Sequence, residues 1–154
     1  MRINKRTNIA VRVLMFCEVN NGRLVTKSEI AQACDISENH LAQVINQLAR
    51  LGFLRTHRGR NGGVELGRAA GDIVIGDVFR AMEGHTPVSE CFADADNSCP
   101  LVAACRLRLA VRDAVEAFYA SLDMVTLDTL VCGNDPLKAL LALGPCLTRA
   151  KAGS

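Results

Sequence analysis

DISENHLAQVINQLARLG, residues 35–52, reads as a tight turn followed by one helix. Ser37 can cap its start and Gly52 is a natural stop. Leu41, Val44, Ile45, Leu48 and Leu51 recur at helical spacing and form an apolar stripe. The opposite face shows Asn39, His40, Gln43, Asn46, Gln47 and Arg50. That face is rich in amides rather than in Glu–Lys pairs, which is unusual for a merely solvated surface. Asn and Gln pair bidentately with adenine edges, and Arg with guanine, in a major groove wide enough for a helix. Just upstream, Thr26-Lys27-Ser28-Glu29 is a capping box that opens a short helix through Ile30, Ala31 and Cys34. Two short helices, a tight turn and a polar reading face make a helix-turn-helix, although short helical hairpins are also common as plain structure. Earlier still, residues 7–19 place Ile9, Val13, Phe16 and Cys17 on one helical face, and Asn20-Asn21-Gly22 stops that helix.

Downstream, Phe53-Leu54-Arg55-Thr56-His57 and Val64-Glu65-Leu66 read as two strands joined by Arg58-Gly59-Arg60-Asn61-Gly62-Gly63. Asn-Gly and Gly-Gly favour a tight hairpin because they accept positive φ cheaply. The tip carries Arg58 and Arg60 with little bulk around them, which suits a minor groove or a phosphate edge. A phosphate-binding loop is the other reading of a Gly-rich tip. It is disfavoured, because the GxGxxG spacing, the Gly-Lys-Ser/Thr ending and a directly following helix are all missing. The fold class is therefore mainly α with a small β-hairpin wing: a winged helix-turn-helix.

Composition agrees. With 154 residues the chain fits one domain, and 49% hydrophobic against 22% charged residues provide a core. There is one Tyr, five Phe and no Trp, so Leu, Val, Ile and Ala must fill that core, which suits helices. No apolar run approaches the roughly 20 residues of a membrane span, and the N-terminus lacks the apolar stretch of a secretory signal. A cytoplasmic location is expected, with the seven Cys as thiols or metal ligands rather than a disulfide framework. The formal charge of +2 hides an asymmetry: residues 1–68 carry 11 Lys/Arg against 5 Asp/Glu, and the rest carry 7 against 11. A basic half suits contact with a polyanion, and an acidic half suits a partner or a sensor.

The second half holds a short helix, Ile75 to Met82, ending at Glu83-Gly84, and then a weakly periodic loop from His85 to Ser98. Cys91, Cys99 and Cys105 follow a C-x7-C-x5-C spacing in and after that loop, with Pro100 placed to start a short helix. Three thiolates there can converge on one centre, either zinc or an iron–sulfur cluster. The absence of a C-x2-C pair favours the cluster; a disulfide or unrelated thiols are the alternatives. Cys17 and Cys34 read as core, Cys132 and Cys146 as incidental, and His57 and His85 as loop or surface residues. From Arg106 to about Leu122 a long helix carries Leu107, Val111, Val115, Phe118 and Leu122 as one stripe, suited to packing against its copy in a symmetric dimer. Such a dimer sets two reading helices about one DNA turn apart, as a palindromic operator requires. Thr126 opens what reads as the last short helix, through Leu127, Leu130 and Val131; residues 133–154 show no interpretable motif.

Three stretches resemble the Rrf2 family of winged-helix regulators, in its NsrR and RirA branches. They are Met1-Arg2-Ile3-Asn4-Lys5-Arg6-Thr7-Asn8; Ser37 to Leu48 continuing through Arg58 to Val64; and Cys91 through Cys99-Pro100-Leu101 to Cys105-Arg106-Leu107. The resemblance covers about residues 1–131. It implies a homodimeric, DNA-binding transcriptional repressor, not an enzyme, with an iron–sulfur cluster on Cys91, Cys99 and Cys105. A 4Fe–4S cluster is implied, with 2Fe–2S as the alternative. The implied DNA contacts are Ser37, Asn39, His40 and Gln43 on the helix and Arg58 and Arg60 on the wing. In NsrR-like members a fourth ligand comes from an acidic residue of the other subunit's first helix. Asn8 stands there in this chain, as RirA-like members tolerate, which leaves solvent thiol, water, Glu90, Asp94 or Asp96 for that role. The expected organisation is a winged head over 1–83, a cluster loop over 84–105, a dimerisation helix region over 106–131 and a tail over 132–154. Nitric oxide is the expected signal, with iron status as the rival. A structural zinc in the same fold, or a metalloenzyme, are further alternatives. The enzyme reading lacks paired His, a nucleophile–base spacing and a cofactor motif.

Overall fold

The computed structural model describes residues 3–84, 92 and 99–142. Helix α1 (Lys5–Val19) is capped by the Asn4 side chain, which accepts from the Arg6 N–H at 3.0 Å. It is the central helix: Thr7, Ile9, Ala10, Val13, Leu14, Phe16 and Cys17 are all buried. Helix α2 (Lys27–Cys34) starts with the capping box, the Glu29 N–H donating to Thr26 Oγ1 and the Thr26 N–H to the Glu29 carboxylate. Burial pushes the Glu29 carboxyl up, but the Thr26 bonds and the Arg23 guanidinium outweigh it and leave the group below its ordinary value. Asp35, in the left-handed region at φ 52°, ends α2 and makes the turn into α3 (Glu38–Arg50). Leu41, Val44, Ile45 and Leu48 bury as the periodicity requires.

Two local details differ from the sequence expectation. Ser37 occupies the N-cap position of α3 but makes no side-chain cap bond. Leu51 is 40% exposed and does not belong to the buried stripe. The helix ends at Arg50 with Leu51 as its C-cap, and Gly52, at φ 76°, turns the chain so that the Phe53 N–H donates to the Leu48 carbonyl at 2.9 Å.

Strands β1 (Leu54–His57) and β2 (Gly63–Leu66) pair antiparallel, from Leu54 opposite Leu66 to His57 opposite Gly63. Phe53, expected in the first strand, is buried just before it. Val25 adds a single bridge to the hairpin, exchanging N–H···O bonds with Val64 at 3.0 and 2.8 Å. The wing is thus tied to the segment between α1 and α2. A Cβ at Gly62 would lie 2.3 Å from the His57 carbonyl oxygen, so only glycine lets the tip fold back this closely.

After a short 3-10 turn (Ala70–Asp72), α4 (Ile75–Glu83) packs on α1 and ends at Gly84, at φ 65°. Helix α5 (Arg106–Asp123) leads into α6 (Leu127–Val131), and its C-terminal end is fastened to α4. Arg80 grips Asp123 with two bonds of 2.7 and 2.6 Å, lies over the Tyr119 ring, and stands beside the Phe79–Phe118 ring pair. The Arg80 bonds hold the Asp123 carboxyl below its ordinary value. Towards its start α5 is more exposed. Among its residues none is fully buried; Val111, Val115, Phe118 and Leu122 are half-buried, while Leu107 and Leu109 are 69% and 51% exposed. No helix among the described residues is long and apolar enough to cross a membrane.

Helix α6 is not the last. Helix α7 (Asp135–Leu141) follows, its Asn134 side chain accepting from the Leu137 N–H and Pro136 in its first turn. It packs against α1, α2 and α6, and Asn20 Nδ2 donates to the Leu141 carbonyl at 3.0 Å.

Candidate nucleic-acid interface and cysteine centre

Burying Leu41, Val44, Ile45 and Leu48 turns the amide face of α3 outward. Ser37, Asn39, His40 and Gln43 are exposed at its N-terminal half, with Asn46 and Arg50 further along. Arg58 and Arg60 are exposed at the wing tip, and neither has a carboxylate partner among the described residues. Elsewhere on the hairpin the charge of Arg55 is partly answered by Glu65, 3.8 Å away, which also lies 2.7 Å from His57 Nε2. A cleft lined by Thr26, Lys27, Asn46, His57 and Arg58 separates the start of α2, the middle of α3 and the wing. The surface therefore offers amide donors and acceptors flanked by uncompensated guanidinium groups, the combination that reads base edges between phosphate contacts.

Two side chains there behave in ways the sequence did not disclose. Gln47 is half-buried and donates from Nε2 to the Ala81 carbonyl at 3.3 Å, so it ties α3 to α4 instead of facing outward. Arg6, at the start of α1, donates from Nη2 to Gln43 Oε1 at 3.2 Å. This bond fixes which end of the Gln43 amide is engaged and leaves its NH2 group available as a donor. In the sequence Arg6 appears only within the first stretch that carries the family resemblance.

Of the three expected cluster ligands, Cys91 lies outside the described residues, as do Glu90, Asp94, Asp96, His85 and Cys146. Among the described residues no group of three His, Cys, Asp or Glu gathers as a metal site. Cys99 and Cys105 bracket one compact turn, in which the Val102 N–H donates to the Cys99 carbonyl and the Ala104 N–H to the Leu101 carbonyl. Both cysteines are half-buried. Cys105 is the N-cap residue of α5 and its side chain makes no cap bond. The first turn of that helix holds Arg106 and Arg108 and no acid. Cations at the positive end of a helix dipole are unfavourable unless an anion answers them. An anionic, thiolate-ligated cluster would answer both the dipole and the arginines, so these residues fit such a group. Phe92, next to Cys91 in the chain, lies under the Arg108 guanidinium at 5.7 Å, in the same first turn.

The remaining described cysteines offer a contrast. Burial, with the neighbouring Cys34 adding to it, pushes the Cys17 thiol up to about 12, and burial raises Cys34 as well. Neither is poised to become a thiolate ligand; both belong to the core. Cys132 is exposed just after α6.

Residues 3–133 match the model of the Rrf2 family, described as an iron-dependent transcriptional regulator. The chain belongs to the Rrf2 family. This Rrf2 protein is 42% identical over 143 residues to "Protein aau3" of Rhizobium meliloti (strain 1021), covering 93% of each chain. It is 41% identical over 142 residues to the HTH-type transcriptional regulator NsrR of Geobacillus kaustophilus (strain HTA426), covering 92% of this chain and 97% of that one. Among solved structures, CymR, titled the global cysteine regulator of B. subtilis, superposes with a TM-score of 0.64 at 27% identity, over 85% of this chain and 96% of that one. The Rrf2 family consists of transcriptional regulators that bind DNA, not of enzymes, and this member is a transcriptional regulator with the family's winged-helix architecture.

In this Rrf2 regulator Asn8 is exposed on α1 and lines a cleft with Lys5, Arg12, Asp35, Ser37 and His40. Arg12 donates from Nη1 to the Cys34 carbonyl at the end of α2, 3.4 Å away.

Proposed function

We propose that the protein is a cytoplasmic, homodimeric repressor whose grip on a palindromic operator depends on an iron–sulfur cluster held by Cys91, Cys99 and Cys105, with nitric oxide as the signal. The observation that carries this reading is the start of α5: Cys105 at the N-cap, Cys99 one turn of chain away, and Arg106 and Arg108 in a first turn without acids. When bound, the cluster, of the 4Fe–4S kind or alternatively 2Fe–2S, supplies iron that nitric oxide coordinates strongly.

The chain's own residues do the rest. Ser37, Asn39, His40 and Gln43 contact base and sugar edges from α3, and Arg58 and Arg60 reach the flanking backbone or minor groove from the wing. The stripe of α5 that starts at Leu107, itself 69% exposed, packs on its copy and sets the two reading helices apart by about one DNA turn. Cys99 and Cys105 order the segment between the winged head (1–83) and the dimerisation region (106–131), so the state of residues 84–105 decides whether the two heads stay in register. About 3 kcal/mol of coupling between cluster and operator changes operator affinity by about two orders of magnitude.

Loss of iron, rather than nitric oxide, is the second reading. It is favoured by Asn8, where NsrR-like members carry an acidic ligand, and by the family's description as iron-dependent. Following operator binding during anaerobic titration separates the two. Release by nitric oxide with retention under an iron chelator supports the first; release by chelator alone supports the second. Retention under both contradicts a cluster-controlled switch.

A further inference from the structure

The Glu83 carboxylate, on the last residue of α4, does two things with one oxygen. Its Oε1 accepts from the Asn4 N–H at 2.9 Å and from Thr7 Oγ1 at 2.6 Å. Thr7 has no solvent exposure, which makes it the one buried polar side chain of the described core. A carboxylate with two such donors fixes the first turn of α1 against the end of α4. Between its two partners lies Arg6, whose guanidinium holds Gln43 on the reading face of α3. On the other side of the same junction, Gln47 ties α3 to the Ala81 carbonyl of α4. Immediately after Glu83 the chain turns at Gly84 and enters the segment that carries Cys91.

We propose that Glu83 is a positioning residue for DNA reading: through Asn4 and Thr7 it sets Arg6, and Arg6 sets the Gln43 amide, so the residue at the mouth of the cysteine segment governs a base-reading side chain. This rests on α3 being the reading helix. A purely structural role predicts a general loss of stability. Positioning predicts, beyond the stability cost of unpairing buried Thr7, a loss of the sequence preference that Gln43 supplies.

The test uses the full-length protein and a duplex selected by it from random sequences, with an unrelated duplex as control. Expected for Glu83→Ala is about tenfold weaker binding to the selected duplex and unchanged binding to the control, within the range of coupling between contacting residues. The Glu83→Ala/Gln43→Ala double variant should bind no more weakly than Gln43→Ala alone. Glu83→Gln, which keeps an acceptor oxygen for Asn4 and Thr7, should restore the preference. Should Glu83→Ala not fold, Thr7→Val replaces it in the same cycle, removing one of the two bonds at equal volume. Additive losses, or wild-type preference in Glu83→Ala and Thr7→Val while Gln43→Ala is weakened, overturn the relay and leave α3 as the reader. Wild-type binding by Gln43→Ala overturns the relay and the place of Gln43 among the readers, while wild-type binding by Asn39→Ala and His40→Ala as well would overturn the assignment of α3.

Discussion

Replacing Cys105 with Ala is expected to remove the visible absorbance of anaerobically purified protein and to weaken operator binding about a hundredfold, the size of a 3 kcal/mol coupling. The fold should survive the change, because Cys105 caps α5 without a side-chain bond and is only half-buried. Cys99→Ala and Cys91→Ala should behave alike, since a cluster that loses one of three protein thiolates loses its hold. Cys17→Ala and Cys132→Ala are the controls. The first should cost stability, because it removes a buried core side chain. Neither should bleach the protein. Full-strength operator binding by all three loop variants would refute the switch, and colour retained by Cys105→Ala would refute its place in the cluster.

The second large effect separates packing beneath α3 from the DNA contacts proposed for it. Leu48 is fully buried beneath α3. Leu48→Ala should cost roughly 2–5 kcal/mol, a large fraction of the 5–15 kcal/mol that typical domains possess. It should lower the melting temperature and the affinity for every duplex alike. Gln43, one turn and a third earlier on the exposed face, should show the reverse. Gln43→Ala is expected to move stability by no more than about 0.5 kcal/mol while weakening operator binding roughly tenfold, the lower end of what a base contact is worth, since Arg6 already engages its Oε1. Thermal unfolding and operator titration of the two variants check this. Equal loss of stability in both would mean that Gln43 serves packing, not recognition.

Much of the fold was legible because its signals are local. The Thr26–Glu29 capping box, the Leu41 to Leu48 stripe, and the Arg58 to Gly63 turn each state their conformation within a few residues. Side chains whose role depends on a distant partner were not legible. Gln47 looks identical to Asn46 in a helical pattern, and only the position of Ala81 shows that it faces α4. Glu83 resembles any helix-ending acid, and its bonds to Asn4 and Thr7 span more than seventy residues. Leu51 fits the stripe by periodicity, and only the fold shows it at the exposed C-cap of α3. Helix α7 was missed despite its Asn134-Asp135-Pro136 start, because it spans only seven residues, too few for a periodic stripe. The cysteine centre is a mixed case. Spacing singled out Cys91, Cys99 and Cys105, but the helix terminus with its two arginines, which gives Cys99 and Cys105 a reason to hold an anionic group, emerges from the fold.

Operator affinity measured without oxygen as apo protein is reconstituted with iron and sulfide bears most directly on the claim that the cysteine centre controls DNA binding. Tightening of about a hundredfold, in step with iron bound per protomer and absent in Cys99→Ala, is the expected result. Affinity that stays constant while iron loads would contradict it.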